Sequence, residues 1–151
     1  MLKDTLIEIF ERDLIKLKEE INFYKNERDL WIIEKEISNS AGNLCLHLIG
    51  NLNHFIGATL GETAFIRDRE TEFSAKNETR QNLINEIEKT IETVKSSLNK
   101  ISNDAFDKNF PVEKHGKVVK MDFMLLHLLT HFNYHLGQIN YHRRLIQNGE
   151  K

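Results

Sequence analysis

The chain has 151 residues, 40% hydrophobic against 29% charged, which fits one soluble domain with a single core and leaves little room for two. With 21 Lys and Arg against 23 Asp and Glu, the formal charge of −2 excludes a global positive field for nucleic acid. No apolar run approaches the roughly 20 residues of a membrane helix. Met1-Leu2-Lys3-Asp4 also lacks the basic and then unbroken apolar start of a signal peptide. A cytoplasmic protein with neither membrane nor nucleic-acid partners is expected, and its one cysteine, Cys45, reads as a buried structural thiol.

Pro111 is the single proline, so long stretches are free of the strongest helix breaker. Apolar residues step by three and four from Leu2 through Leu6, Ile9 or Phe10, Leu14, Leu17 and Ile21 to Tyr24, predicting a first helix over about 2–24. Residues 25–39 lose that phase and read as a loop in which Trp31 plugs the core. Ser38-Asn39-Ser40 offers N-cap oxygens, and Leu44, Leu48, Leu52, Phe55 and Ile56 carry a second helix over about 40–60, ending among Gly57 and Gly61. From Glu62 to Lys76 the chain is polar, with charge alternating at Arg67-Asp68-Arg69-Glu70, and reads as a solvated connection.

A third helix starts near Asn77 or Thr79, with the packing stripe Ile84, Ile87, Ile91, Val94, Leu98 and Ile101. Between Ser102 and Lys120, Phe110-Pro111-Val112, the polar tip Lys114-His115-Gly116 and Val118-Val119 suggest a short hairpin or extended connection. The fourth helix, about 121–147, carries His127, His131, His135 and His142 and is closed by Gly149. The expected fold is all-α, a four-helix bundle forming one domain over residues 1–151.

Seven histidines are unusual in a chain of 151 residues, and six of them fall on the second and fourth helices. Residues four apart lie one turn apart along a helix, so two such imidazoles can aim at one point. On a wheel of about 100° per residue, His135 lies nearest the apolar centre of the fourth helix. His131 is the next turn of the same edge, His142 is comparably placed, and His127 falls toward solvent. The pair His131 and His135 is therefore the inward candidate. A catalytic transition-metal site takes three protein ligands and keeps a position open, so a third must come from elsewhere. His47 and His54, about 20° apart on the second helix, both sit at the margin of its apolar stripe, and the wheel does not choose between them.

Other chemistries lack their residues. Phe132 stands where HExxH needs its glutamate, no Glu precedes any of these histidines by three, and no GxSxG, P-loop or GxGxxG occurs. Zincin, diiron, serine-hydrolase and nucleotide-binding readings are set aside.

The blocks Asn43-Leu44-Cys45-Leu46-His47-Leu48-Ile49-Gly50-Asn51-Leu52 and His127-Leu128-Leu129-Thr130-His131-Phe132-Asn133-Tyr134-His135-Leu136-Gly137-Gln138-Ile139 resemble those of the DinB-like (DinB/YfiT) superfamily. The resemblance spans nearly the whole chain. It implies a bacterial four-helix bundle, often a homodimer, with a three-histidine metal site that maps onto His47, His131 and His135. The ending His135-Leu136-Gly137-Gln138-Ile139 resembles the family's HxGQI, in which glycine permits close helix approach and Gln138 would hydrogen-bond near the site. The stretch Arg67–Phe73 resembles a segment recurrent in one subgroup.

The resemblance further implies a metal-dependent enzyme with a divalent ion, Zn, Ni or Fe, acting on a small-molecule substrate. Relatives in the superfamily include transferases that use a low-molecular-weight thiol as cosubstrate, and others have been labelled hydrolases. His54 is a candidate acid or base and Asn51 a candidate to orient it. The alternative is a non-catalytic bundle that binds a metal or ligand.

Overall fold

The computed structural model describes residues 1–148, and no strand forms among them. Helix α1, Leu2–Phe23, buries the predicted stripe of Leu6, Phe10, Leu14, Leu17 and Ile21. Helix α2, Ala41–Leu52, begins where Ser40 Oγ accepts the backbone N–H of Asn43 at 3.1 Å. It runs without a break into a π-helical stretch, Asn53–Ala58, and a last turn α3, Thr59–Gly61. Asn53 Nδ2 ties the widened turn in place by donating to Ile49 O and to Thr90 Oγ1, both at 2.9 Å. Glu62 ends the run in the left-handed region at φ 56°. After α4, Arg69–Ser74, helix α5 spans Arg80–Asn99 with Thr79 as its N-cap, and α6 spans Met121–Asn148. Gly149, expected to close the last helix, lies outside the described residues.

Helix α1 lies against α5 and α6, and α2 lies against the same two helices and against α4. That adjacency explains why α2 is buried almost all round, whereas α1 and α5 each bury one stripe. The buried residues of α1, α2, α5 and α6 join in one apolar cluster, centred on Phe10, Leu48, Ile87 and Phe132. Fully burying one such side chain contributes about 1.5–3 kcal/mol. Ser40 matters beyond its helix: its hydroxyl also donates to Asn43 Oδ1 at 2.7 Å, and both residues are buried. Ser40→Ala is expected to cost about 1–2 kcal/mol in urea denaturation, because a cap and a buried partner go together. An effect below about 0.5 kcal/mol would mean that solvent replaces the hydroxyl.

Two connections differ from their sequence reading, and a third agrees with it. Within 25–39 a 3-10 turn forms at Glu27–Trp31, and it is Leu30 that fills the core. Trp31 is half-buried instead, with its indole laid over Gly42, where a Cβ would come within 2.7 Å of the ring, and its Nε1 donating to Glu78 O at 3.2 Å. The indole N–H needs an acceptor, which keeps the ring at the rim. The stretch 62–76, expected as solvated loop, contains α4, capped by Asp68, whose carboxylate accepts from Thr71 N and Oγ1. Before α6 the chain is an extended connection: isolated bridges pair Asn109 with Lys120 and Lys114 with Lys117. His115 and Gly116 form the two-residue turn between the last pair, both at positive φ, as the twist of paired extended segments favours.

Candidate metal centre

His47 stands on α2 with only 5% of its surface exposed, and His131 and His135 face it from successive turns of α6, half-buried. One ligand atom from each lies within 4.8 Å of the others. His47 Nε2 and His131 Nε2 approach to 3.1 Å. The ring of His47 stands at 73° and 87° to those of His131 and His135. The helix-wheel pair of α6 and the resemblance-derived His47 are thus brought together.

The nitrogens that face away from the cluster fix the chemistry of the ones that face in. His135 Nδ1–H donates to Gln138 Oε1 at 2.7 Å, leaving Nε2 with its lone pair. His47 Nδ1 is 3.0 Å from Glu72 Oε1, so a proton held there also leaves Nε2 free. His131 Nδ1 is buried with no partner. Two of the three imidazoles therefore carry the outer hydrogen bond that metal-ligating histidines require, and the donor set suits a divalent transition metal. Burial, followed by the neighbouring imidazoles, holds His131 down to about 4, and burial outweighs Glu72 in lowering His47. Neutral imidazole is the form that binds metal.

These shifts carry a sign. Between the ordinary 6.5 and about 4 the unfolded chain takes up a proton that folded His131 refuses. Metal-free protein should therefore keep its full stability above pH 6.5 and lose it progressively as pH falls toward 4. Urea denaturation with EDTA across that range measures it. Stability unchanged over the interval would mean that the imidazoles are as solvated folded as unfolded.

The remaining histidines do other things. His54 lies where the widened turn of α2 has begun, so the 100° step that relates it to His47 no longer holds. It sits outside the cluster, its ring 4.7 Å from that of Phe55. Asn51 is buried with Oδ1 unpartnered and makes no hydrogen bond to His54. His142, which the wheel placed with the inward pair, is a core residue: Nδ1 accepts from Tyr24 Oη at 2.7 Å and Nε2 donates to Ile32 O at 2.8 Å. His127 stacks on Phe123 at the outer end of α6, and Gly137, expected at a close helix approach, has open space where a Cβ would stand. Cys45 is fully buried, which pushes its thiol up and away from reactivity.

Three residues at the centre, Arg67, Glu72 and Phe73, were given no role by the sequence reading. Arg67 donates from Nε to Glu72 Oε2 at 2.8 Å and from Nη2 to Glu72 Oε1 at 2.9 Å, a bidentate pair beside His47. The Phe73 ring lies 4.8 Å from that of His47. The available signal was Asp68 followed by Glu70 and Glu72, the acidic first turn of a capped helix. A cleft of about 460 Å³ opens beside the cluster, lined by Ile37, Ser38, Leu44, His135, Gln138 and Tyr141. A further cleft of about 570 Å³ between α1 and α6 touches none of the three imidazoles, so the one at His135 is the relevant neighbour.

A family model described as a protein of unknown function (DUF1572) matches residues 5–151. No curated protein matches the chain.

Proposed function

The chain belongs to the DUF1572 family, and we propose that it is a metal-dependent enzyme in which His47, His131 and His135 hold one divalent transition ion, Zn, Ni or Fe. The observation that carries this reading is the convergence of the three ligand nitrogens within 4.8 Å, two of them backed by outer acceptors. The resemblance to DinB-like proteins supports the finer reading of one four-helix-bundle domain over residues 1–151. The ring of contacts α1–α5–α2–α6–α1 agrees with that arrangement.

Three imidazoles leave a coordination position for a small molecule, and a bound ion would favour the ionised form of a water or thiol there. The cleft at His135 is of a size for a small substrate and mixes apolar Leu44 and Ile37 with polar Ser38 and Gln138. Transfer of a low-molecular-weight thiol onto an electrophile is the reaction that the resemblance favours, with hydrolysis as its water counterpart. Homodimerisation draws support from Phe123, Tyr134, Tyr141 and Leu145, apolar residues left exposed on α6.

Metal analysis of untagged protein by mass spectrometry tests the reading, followed by an assay pairing low-molecular-weight thiols with an electrophile. One ion per chain is expected in the native protein and none in His131→Ala. A native protein without stoichiometric metal, or a His131→Ala variant that retains it, overturns the site. Metal without turnover of any thiol or hydrolysable substrate overturns the enzyme reading and leaves the site standing.

A further inference from the structure

Helix α4 has one buried polar residue, Glu72, and everything around that carboxylate holds it against a single nitrogen. Gly50, one turn beyond His47 on α2, provides the slot: a Cβ there would lie 1.9 Å from Glu72 Oε2. Asn43, one turn before His47, donates from Nδ2 to Glu72 O at 3.0 Å and to Ala75 O at 2.8 Å, fastening the α4 backbone to the same face of α2. Arg67 grips both carboxylate oxygens. The carboxylate therefore cannot rotate, and its Oε1 stands 3.0 Å from His47 Nδ1.

We propose that Arg67, Glu72 and Gly50 act as a brace on His47, holding its ring in the Nδ1–H tautomer so that Nε2 is presented to the metal before the metal arrives. Glu72 and Arg67 are positioning residues: the carboxylate is occupied by His47 and Arg67 at once. The inference rests on the metal reading for its consequence but not for its geometry. A metal-ligating histidine whose outer partner is lost typically gives up 10–100-fold in metal affinity, because ring orientation and tautomer are no longer selected. Arg67 adds a second effect, since a carboxylate bonded twice to a guanidinium is held in one plane.

The test uses the full chain and Zn²⁺ as the probe. In metal-free wild type, ¹⁵N chemical shifts of the histidine side chains are expected to report His47 as Nδ1–H. The Nε2–H form there would overturn the brace without any variant. Glu72→Gln keeps the shape but cannot accept from Arg67 and His47 with both terminal atoms. Gly50→Ala leaves every charged group intact and pushes the carboxylate out of its slot. Each is expected to weaken Zn²⁺ by 10–100-fold in chelator competition and to mix the His47 tautomers, whereas Glu70→Gln, exposed on the same helix, changes neither. Unchanged affinity in both folded variants overturns the proposal. If wild type binds no Zn²⁺ yet His47 is Nδ1–H, the metal reading fails and the brace stands; if Zn²⁺ binds and the tautomer is Nε2–H, the reverse holds.

Discussion

With the proposed site loaded with Zn²⁺, its removal by EDTA is expected to lower the unfolding free energy by about 4 kcal/mol when free metal had stood a thousandfold above its dissociation constant. For a domain of this size that is roughly 8–16 °C in melting temperature. The reason is that the ligands come from α2 and α6, which are 84 residues apart between His47 and His131, so the unfolded chain has no preformed site and the binding free energy is added to the folded state alone. His131→Ala should melt at one temperature with or without EDTA. Superimposable melting curves for wild type in the two conditions would remove the ion from the native state.

Arg67→Met should destabilise metal-free protein by about 3–5 kcal/mol, the cost of leaving a buried carboxylate without its cation. The magnitude needs no large discount for solvent, because the Arg67 and Glu72 side chains are only 13% and 7% exposed. Adding Glu72→Gln to Arg67→Met removes the stranded charge and should recover most of the loss. That recovery separates a buried ion pair from a packing effect. Urea denaturation of the native chain and the two variants measures both quantities, and a loss below about 1 kcal/mol in Arg67→Met would place the pair in the weak surface class. The ion pair is thus weak evidence for stability over an apolar replacement; what it supplies is a fixed position for Glu72.

The HxxxH pair on α6 could be read in advance because both members share one helix, and helical geometry alone sets their separation. His47 and His54 could not be separated in that way: a wheel measures angle about one axis, whereas the distinction between them is distance to α6. His142 shows the same limit from the other direction. It occupies an inward wheel position like that of His131, yet Tyr24 and Ile32 claim both its nitrogens, and those partners come from the connection that follows α1. Trp31 and Leu30 are neighbours in the chain, and which of them enters the core depended on where Glu78 O offered an acceptor.

Periodicity, caps and the near absence of proline determine the helices α1, α2, α5 and α6, since each depends on contacts within a few residues of chain. They also determine the two facing imidazoles of α6. The block around His47 marks it as the third through its resemblance to DinB-like proteins; only the tertiary structure decided that it faces the other two, that the charged stretch after α3 folds into α4, and that Glu72 and Arg67 close over it. An alternating run of Arg, Asp and Glu looks solvated wherever its partners are unknown. Gly50 and Asn43 on α2 make this one dock, and no local pattern in residues 62–76 records a slot on another helix.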